Sequence, residues 1–218
     1  MRNVIRRLPC DALLFDMDGV LIDSRPVVER TWRRWAARHG LDAEPILRSA
    51  HGRRTGDTLR EVVPHLAGPE EIAWLEAAEL EDFDGLAAVQ GAAQLLATLR
   101  SIPWAVVTSA GPELARRRLA AAGLPLPSVL VCSDAVVQGK PAPDGYLLAT
   151  ERLAVTPVRA VVFEDAPAGI AAGRAAGCAV VGVATTHPPA QLTEAAFVVP
   201  DLTSVAVEIA EGGWHVSG

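Results

Sequence analysis

Residues 12–19 read ALLFDMDG, a short apolar run that ends in two carboxylates and a glycine. An apolar run closed by a turn dipeptide such as Asp18-Gly19 is typical of a buried β-strand, although such a dipeptide alone can be no more than a turn. In parallel α/β sheets, ligands bind at the carboxyl ends of the strands. The stretch therefore predicts a strand that delivers Asp16 and Asp18 to the edge of a binding crevice.

Four more apolar runs have the character of buried parallel strands, and they alternate with helical patterns from position 88 onward. The runs lie at 104–109, 128–132, 159–165 and 179–184, with 197–200 as a candidate sixth strand, and the helical patterns lie at 91–100, 112–123 and 145–154. The alternation predicts an α/β fold with a doubly wound, Rossmann-like parallel sheet. The final stretch, GGWHVSG, gives no prediction.

Residues 22–88 interrupt this alternation with four helix signals and no convincing strand. The first helix is expected to be capped by Ser24, to carry Trp32 and Trp35 on one face and to stop at Gly40. An all-helical insert directly after the first strand predicts a cap over the crevice, with the tryptophans in its own small core. We therefore assign 1–21 and 89–218 to the α/β core and 22–88 to the helical cap.

The composition limits the partners and the location of the protein. The net charge is −6 and the pI is near 5.4, so no overall positive field attracts nucleic acid or a membrane surface. No apolar run approaches the roughly 20 residues that span a bilayer, and three scattered cysteines without a CxxC pair are typical of reduced core thiols. We expect a cytoplasmic protein with a small-molecule substrate and no nucleic-acid or membrane partner. The sequence leaves the oligomeric state open, a monomer included.

Polar side chains also stand at or just beyond the ends of the other predicted strands. Ser109 ends the strand run at 104–109, Glu164 and Asp165 end a later one, and Lys140 follows a third in the loop QGKPAPDG. Lys140 is the single lysine among 20 basic residues, which indicates a site that needs a compact ammonium. Burying these groups separately would be costly. One shared crevice explains them together, with carboxylates for Mg²⁺ and donors for a phosphoryl group.

Four motifs together resemble those of the haloacid dehalogenase superfamily, in the same order and on the same elements. They are DMDGV, Ser109, GKPAPD and FEDAPAG, and the helical insert is similar to the first cap class of that superfamily. Three longer strings resemble its sugar-phosphatase branch, which includes bacterial hexitol and sugar phosphatases, 2-deoxyglucose-6-phosphatases and glycerol phosphatases. These strings are VERTWRRWAARHGL, HGRRTGDTLR and FEDAPAGIAAGRAAGC.

The resemblance implies a phosphatase that cleaves small sugar or polyol phosphates, such as hexose, hexitol or glycerol phosphates. Asp16 would be the nucleophile that attacks phosphorus and forms an aspartyl-phosphate. Asp18 would protonate the leaving alkoxide and then deprotonate the attacking water. Ser109 and Lys140 would hold the phosphoryl oxygens.

The resemblance also implies Mg²⁺ as the cofactor. The ion would lie on the Asp16 carboxylate, the Asp18 backbone carbonyl and Asp165, with Glu164 either a ligand or just outside the ligand set. A carboxylate that attacks a phosphate dianion meets strong repulsion, and a divalent cation offsets that repulsion.

The cap is expected to choose the substrate. His51, Arg53 and Arg54 lie between two predicted cap helices, in a loop that faces the active site in related enzymes. We expect these residues to contact the hydroxyls or a second charge of the leaving group. The alternatives are a solvated basic loop for the two arginines and a helix-end residue for His51.

Two other functions are compatible with parts of the pattern. β-Phosphoglucomutase-like enzymes share the four motifs, but they resemble one another in a cap histidine and a cap-loop arginine where this chain has Val28 and Thr55, which favours hydrolysis. A receiver-type signalling domain also places Asp, Ser or Thr, and Lys around Mg²⁺. Such a domain has no helical cap and no counterpart of Glu164-Asp165.

Overall fold

The computed structural model describes residues 7–50, 52–99, 101–210 and 213–218. In chain order the described strands are β1 (Arg7–Cys10), β2 (Ala12–Phe15), β3 (Ile22–Asp23), β4 (Ala87–Ala88), β5 (Trp104–Val107), β6 (Val129–Val131), β7 (Ala160–Glu164), β8 (Ala179–Val183), β9 (Phe197–Val199), β10 (Ala206–Ala210) and β11 (Gly213–Ser217). The described helices are α1 (Arg25–Arg38), α2 (Glu44–Ala50), α3 (Thr55–Val62), α4 (Pro69–Glu81), α5 (Ala92–Thr98), α6 (Pro112–Ala121), α7 (Asp144–Arg152) and α8 (Pro167–Ala175).

Six parallel strands form the central sheet in the order β6-β5-β2-β7-β8-β9. β2 lies between β5 and β7, with Phe15 level with Val106 on one side and Phe163 on the other. From β2 the chain first builds outward through β5 and β6, and then builds in the opposite direction through β7, β8 and β9. The predicted doubly wound sheet is confirmed, including its sixth strand, and its switch point lies beside β2, where such folds bind ligands.

Both faces of the sheet are buried because side chains alternate along each strand. Phe15 and Phe163 stack on one face with ring centroids 4.7 Å apart, in a cluster that includes side chains of α5 and α6. Leu14 and Val162 point to the other face, where α7 and α8 pack. These two apolar layers hold β2 and β7 side by side, and so determine where the next residues of each strand emerge.

Helices α1 to α4 form a separate helical layer with an apolar cluster of their own. Trp32 and Trp35 meet edge to face with centroids 5.8 Å apart, and Trp74 packs partly buried against the same cluster. Buried side chains from the other three helices complete it: Ile46, Leu47, Leu59 and Leu75. The tryptophans therefore belong to the core of this layer, as the sequence predicts.

The start of α1 agrees with the prediction in position but not in the contact that forms the cap. Ser24 stands at the N-cap position, as predicted, but its side chain makes no capping hydrogen bond. Its backbone carbonyl accepts hydrogen bonds from the amides of Val27 and Val28 instead. A proline in the first turn, Pro26, has a ring that favours the helical φ and lacks an N–H that would need a partner there.

Two small sheets are absent from the sequence prediction. β3 and β4 pair antiparallel where the chain enters and leaves the helical layer, with Ile22 opposite Ala88. β1, β11 and β10 form an antiparallel sheet in that order, and Val216 of β11 is buried in the core. β1 and β11 come from distant parts of the sequence, and a pairing between distant segments leaves no local pattern in GGWHVSG.

Within the described residues, no helix has both the length and the apolar character needed to cross a membrane. The three cysteines, Cys10, Cys132 and Cys178, are free and buried. Burial raises the pKa of each thiol to about 11, so they are unreactive packing residues.

Candidate active site

Three carboxylates meet at the carboxyl ends of the two central strands. Asp16 directly follows β2, Glu164 ends β7 and Asp165 comes next. Because β2 and β7 are hydrogen-bonded neighbours, their next residues emerge side by side. One carboxylate oxygen of each residue lies within 4.8 Å of the others, and all three residues are buried. The sequence-based expectation that these groups share one crevice is met by the geometry.

Lys140 reaches this carboxylate cluster from the loop between β6 and α7. Its Nζ donates to Asp16 Oδ1 at 2.5 Å and lies 2.6 Å from Glu164 Oε1. Burial alone would lower the pKa of Lys140, but the two carboxylates outweigh it and hold that pKa above its ordinary range. The ammonium is therefore a permanent positive charge in a site where carboxylates still outnumber it.

The excess negative charge shows in the carboxyl pKa values. Burial raises the pKa of Asp16 well above its ordinary value, although Lys140 opposes the shift. Burial and then the neighbouring Glu164 raise the pKa of Asp165 to about 7. Such shifts are typical of buried carboxylates that lie close together.

The free oxygens of the cluster fit a divalent cation. Asp16 Oδ2 and Asp165 Oδ1 are buried and have no hydrogen-bond partner among the described residues. The oxygens of Glu164 are engaged, since Oε1 accepts from the Tyr146 hydroxyl at 2.5 Å and Oε2 from the Asp165 amide at 3.2 Å. Unpaired buried carboxylate oxygens are costly unless a cation binds them. The two aspartates therefore offer free oxygens to a cation, and Glu164 lies beside them.

Two glycines make room for these carboxylates. A Cβ on Gly169 would lie 1.9 Å from the carboxyl carbon of Glu164, and one on Gly19 would lie 2.1 Å from Asp165 Oδ2. Gly19 also has a φ of 82°, a left-handed conformation that favours glycine. The glycine of the DMDG motif therefore allows Asp165 to approach closely, in addition to allowing the turn.

Asp165 is held from outside the predicted motifs. The Thr186 hydroxyl donates to Asp165 Oδ2, and His187 Nδ1 lies 3.0 Å from the Asp165 carbonyl oxygen. Sequence analysis missed both residues. Asp16 directly follows β2, whereas Thr186 lies three residues beyond the end of β8, so no apolar run ends at it to mark it in the sequence.

A cavity of about 650 Å³ lies between the carboxyl edge of the sheet and helices of the cap. We call the side formed by the sheet the core end, which is lined by Asp16, Asp18, Ser109 and Asp165. We call the opposite side the cap end, which is lined by Val28, Trp32, Ile72, Glu76 and Glu79. The carboxylate cluster therefore opens into a space large enough for a small organic molecule.

Asp18 is bound to a buried arginine that the sequence analysis did not single out. Asp18 Oδ1 accepts a hydrogen bond from Arg118 Nη1 at 2.9 Å, and the Arg118 side chain is 4% exposed. Arg118 Nη2 lies 3.8 Å from Glu79 Oε1 at the cap end. The run of three arginines at 116–118 reads as a solvated helix face, and only the fold shows that its last member is buried.

The predicted cap-loop residues reach the cavity but are engaged by protein groups. Arg54 lines the cavity, and its guanidinium donates to the carbonyls of Val137 and Val136 at 3.1 and 3.0 Å. Arg53 also lines it and pairs with Glu61 on α3. His51 lies outside the described residues. That these side chains bind a leaving group stays a prediction.

Ser109 joins the cap loop to the core end. Its Oγ donates to the Gly52 carbonyl oxygen at 3.0 Å. The neighbouring hydroxyl of Thr108 instead accepts from the amide of Ala110 at 3.1 Å. Ser109 lines the cavity, and that its hydroxyl holds a phosphoryl oxygen stays a prediction.

Comparison with known proteins places this site in a family. The family model for haloacid dehalogenase-like hydrolases matches residues 10–177. Hexitol phosphatase A of Escherichia coli (strain K12) is 42% identical over 203 residues, which cover 91% of this chain and 94% of that protein. Glycerol-1-phosphate phosphohydrolase 2 of Saccharomyces cerevisiae is 37% identical over 192 residues, or 82% of this chain and 76% of that protein. A crystal structure of a family hydrolase from Deinococcus radiodurans R1, with bound phosphate and sodium, is 31% identical, covers 89% of this chain and 93% of that one, and superimposes with a TM-score of 0.66.

Proposed function

Since the chain belongs to the haloacid dehalogenase-like hydrolases, we propose that it is a Mg²⁺-dependent phosphatase of small sugar or polyol phosphates. The single observation that carries the proposal is the carboxylate cluster, in which Lys140 contacts Asp16 and two buried carboxylate oxygens have no hydrogen-bond partner in the described part of the chain. This arrangement offers a nucleophile, a fixed cation and ligand atoms for a second cation within one crevice. Phosphoryl transfer needs these three components.

Mg²⁺ would be held by the carboxylates of Asp16 and Asp165 and by the Asp18 backbone carbonyl, with Glu164 beside the ligand set. When bound, it offsets the repulsion between the attacking carboxylate and the phosphate dianion. All candidate donors are oxygens, and no histidine or thiolate belongs to the group of possible ligands found among the described residues. Such a donor set suits Mg²⁺.

The proposed reaction has two half-reactions. In the first, an Asp16 carboxylate oxygen forms a bond to phosphorus while the bond between phosphorus and the ester oxygen breaks, and Asp18 gives its proton to the departing alkoxide. In the second, Asp18 takes a proton from water, whose oxygen attacks phosphorus and releases inorganic phosphate from Asp16. Lys140 and Ser109 orient the phosphoryl oxygens throughout, and the cap limits access of water to the reacting groups.

The cavity beyond the cluster supports a polyol or sugar as the leaving group. About 650 Å³ suits a chain or ring of a few carbons, and the relatives named above act on hexitol and glycerol phosphates. Val28 and Thr55 both line the cavity, at the two positions where mutases have a histidine and an arginine. Both differences favour water over a sugar as the phosphoryl acceptor. We place the reaction in the cytoplasm, where three free thiols stay reduced.

A screen of about a hundred phosphate monoesters, scored by released phosphate, tests the proposal. We expect Mg²⁺-dependent release from hexitol, hexose or glycerol phosphates and none from the Asp16→Asn variant. A parallel assay with a sugar 1-phosphate and catalytic bisphosphate measures isomerisation. Isomerisation faster than phosphate release would overturn the phosphatase proposal in favour of a mutase.

A further inference from the structure

Arg118 is a buried cation beside Asp18, and the two half-reactions above give it no part. It belongs to a run of three arginines on α6, of which Arg116 and Arg117 are exposed. Only Arg118 is turned inward, with a side chain that is 4% exposed. Burying a guanidinium costs several kcal/mol unless carboxylates pair with it, so its position demands a partner.

That partner is Asp18. Arg118 Nη1 donates to Asp18 Oδ1 at 2.9 Å, and no other side chain in the described part of the chain forms a hydrogen bond with Asp18. Arg118 Nε and Nη2 are buried without a hydrogen-bond partner among the described residues. Among the described residues, the contact with Asp18 is therefore the one direct hydrogen bond that holds this guanidinium.

The far side of the guanidinium faces the cap. Arg118 Nη2 lies 3.8 Å from Glu79 Oε1 of α4, and the adjacent Arg117 donates to the Leu80 carbonyl oxygen at 3.3 Å. Consecutive arginines of the core thus contact consecutive residues of the last cap helix. The Arg118 guanidinium therefore lies between Asp18, with which it forms a hydrogen bond, and Glu79 of the cap, with which it forms a longer ion pair.

We propose that Arg118 is a positioning residue that fixes the Asp18 carboxylate for proton transfer. Glu79 of the cap contacts Arg118, so this positioning depends on the cap being packed against the core. The inference rests on the proposed phosphatase activity. Asp18 Oδ1 is held by Arg118, while the side chain keeps 24% of its surface exposed and lines the cavity. Oδ2 is therefore the oxygen that passes a proton to the departing alkoxide and later takes one from water. Arg118 itself exchanges no proton.

The leaving group separates this role from a merely structural one. An alkoxide needs a proton to depart, whereas p-nitrophenolate leaves without one. In Arg118→Met, which keeps the length of the side chain but not its charge, we expect kcat for glycerol phosphate or the best hexitol phosphate to fall roughly 30- to 100-fold, part of the 10²–10⁴-fold that general acid–base catalysis supplies. KM should change by less than about threefold. Release of p-nitrophenolate in a single turnover with enzyme in excess reports only phosphorylation of Asp16. Its rate in Arg118→Met should stay within about threefold of the wild-type rate.

Matched variants sharpen the test. Arg116→Met removes an exposed arginine from the same helix and should leave both rates unchanged. Arg118→Ala should regain part of its alkyl phosphate activity when guanidinium is added, and Arg118→Lys should retain more than Arg118→Met. Glu79→Gln should lower the alkyl phosphate rate about three- to tenfold with the same leaving-group pattern. When Glu79→Gln is combined with Arg118→Met, the alkyl phosphate rate should fall no further than in Arg118→Met alone.

Equal losses for the alkyl phosphate and for single-turnover p-nitrophenolate release in Arg118→Met would overturn the inference, since they indicate a fold defect. An unchanged alkyl phosphate rate would overturn it as well. If the wild-type protein released phosphate from no ester, the phosphatase proposal would fall, and this inference with it. That outcome is recognised before any variant is made.

Discussion

The core end and the cap end of the cavity differ in how their side chains are positioned. At the core end, the predicted residues Asp16 and Asp165 lie in one buried cluster with Lys140. At the cap end, the predicted residues Arg53 and Arg54 line the cavity, but their guanidinium groups bind Glu61 and two backbone carbonyls. Other cap residues also line the cavity, including Glu76 and Glu79.

The difference has a topological cause. A residue that follows a strand of a parallel sheet is placed by the sheet, because neighbouring strands fix where it emerges. A residue in a loop between helices is placed by whichever partner satisfies it, and that partner can be far away in sequence. Arg54 and Val137 are 83 residues apart. The positions of the core-end residues can therefore be predicted from a single sequence, whereas those of the cap-end residues cannot.

The largest expected effect is at the core end. Asp16→Asn should lower kcat by about a thousandfold or more, because an amide is a poor nucleophile. The amide keeps the size of the side chain and leaves Lys140 its contact with Glu164, so the fold should be retained. Phosphate release and thermal unfolding measured on the same sample check both points. Retention of even a tenth of the activity would exclude a covalent role for Asp16.

Removal of the metal should have the next largest effect. An excess of chelator is expected to lower turnover about a hundredfold or more, and added Mg²⁺ should restore it, because the buried oxygens of Asp16 and Asp165 then regain a cation. Ca²⁺ should inhibit, since its looser coordination misplaces Asp16 for in-line attack. Full turnover in chelator would show that the positive charge of Lys140 alone is enough to compensate the negative charge of the carboxylate cluster.

The substitution Lys140→Arg tests how tightly the side chains of the core end surround the Lys140 ammonium. The lysine ammonium lies within 2.6 Å of carboxylates on two sides, and a planar guanidinium does not fit this buried position. We expect kcat/KM to fall about tenfold or more in Lys140→Arg and further in Lys140→Ala. If Lys140→Arg left kcat/KM unchanged, the presence of a single lysine in the chain would reflect composition and not function.

Much of the core end follows from sequence because Asp16, Ser109, Glu164 and Asp165 each stand at the end of an apolar run. Lys140 is identified by its rarity among the basic residues. Other site residues have no comparable signal, because their positions depend on contacts between distant segments: Tyr146, Thr186, Arg118 and Glu79. The antiparallel sheet of β1, β10 and β11 escapes prediction for the same reason, since its strands pair the two ends of the chain.

The smallest effects are expected for the cap-loop arginines. Arg54→Ala removes two hydrogen bonds to the loop that carries Lys140 and should lower kcat/KM about three- to tenfold for alkyl and p-nitrophenyl phosphates alike. Arg53→Ala breaks a pair with the half-exposed Glu61 and should change either rate by less than about twofold. Comparing the two esters is decisive. A loss confined to the alkyl phosphate would show that these arginines contact the leaving group, as the sequence predicts.

The central claim is that Asp16 carries the phosphoryl group during turnover. Asp18→Asn should allow phosphorylation by p-nitrophenyl phosphate but slow the attack of water, so that the phosphorylated protein accumulates before an acid quench. Mass spectrometry of the digested protein should then find one added phosphoryl group, mapped to Asp16 and formed only when Mg²⁺ is present. The account would be contradicted by a phosphoryl group on another residue. It would also be contradicted by a protein that turns over fully while Asp16 stays unmodified at every quench time.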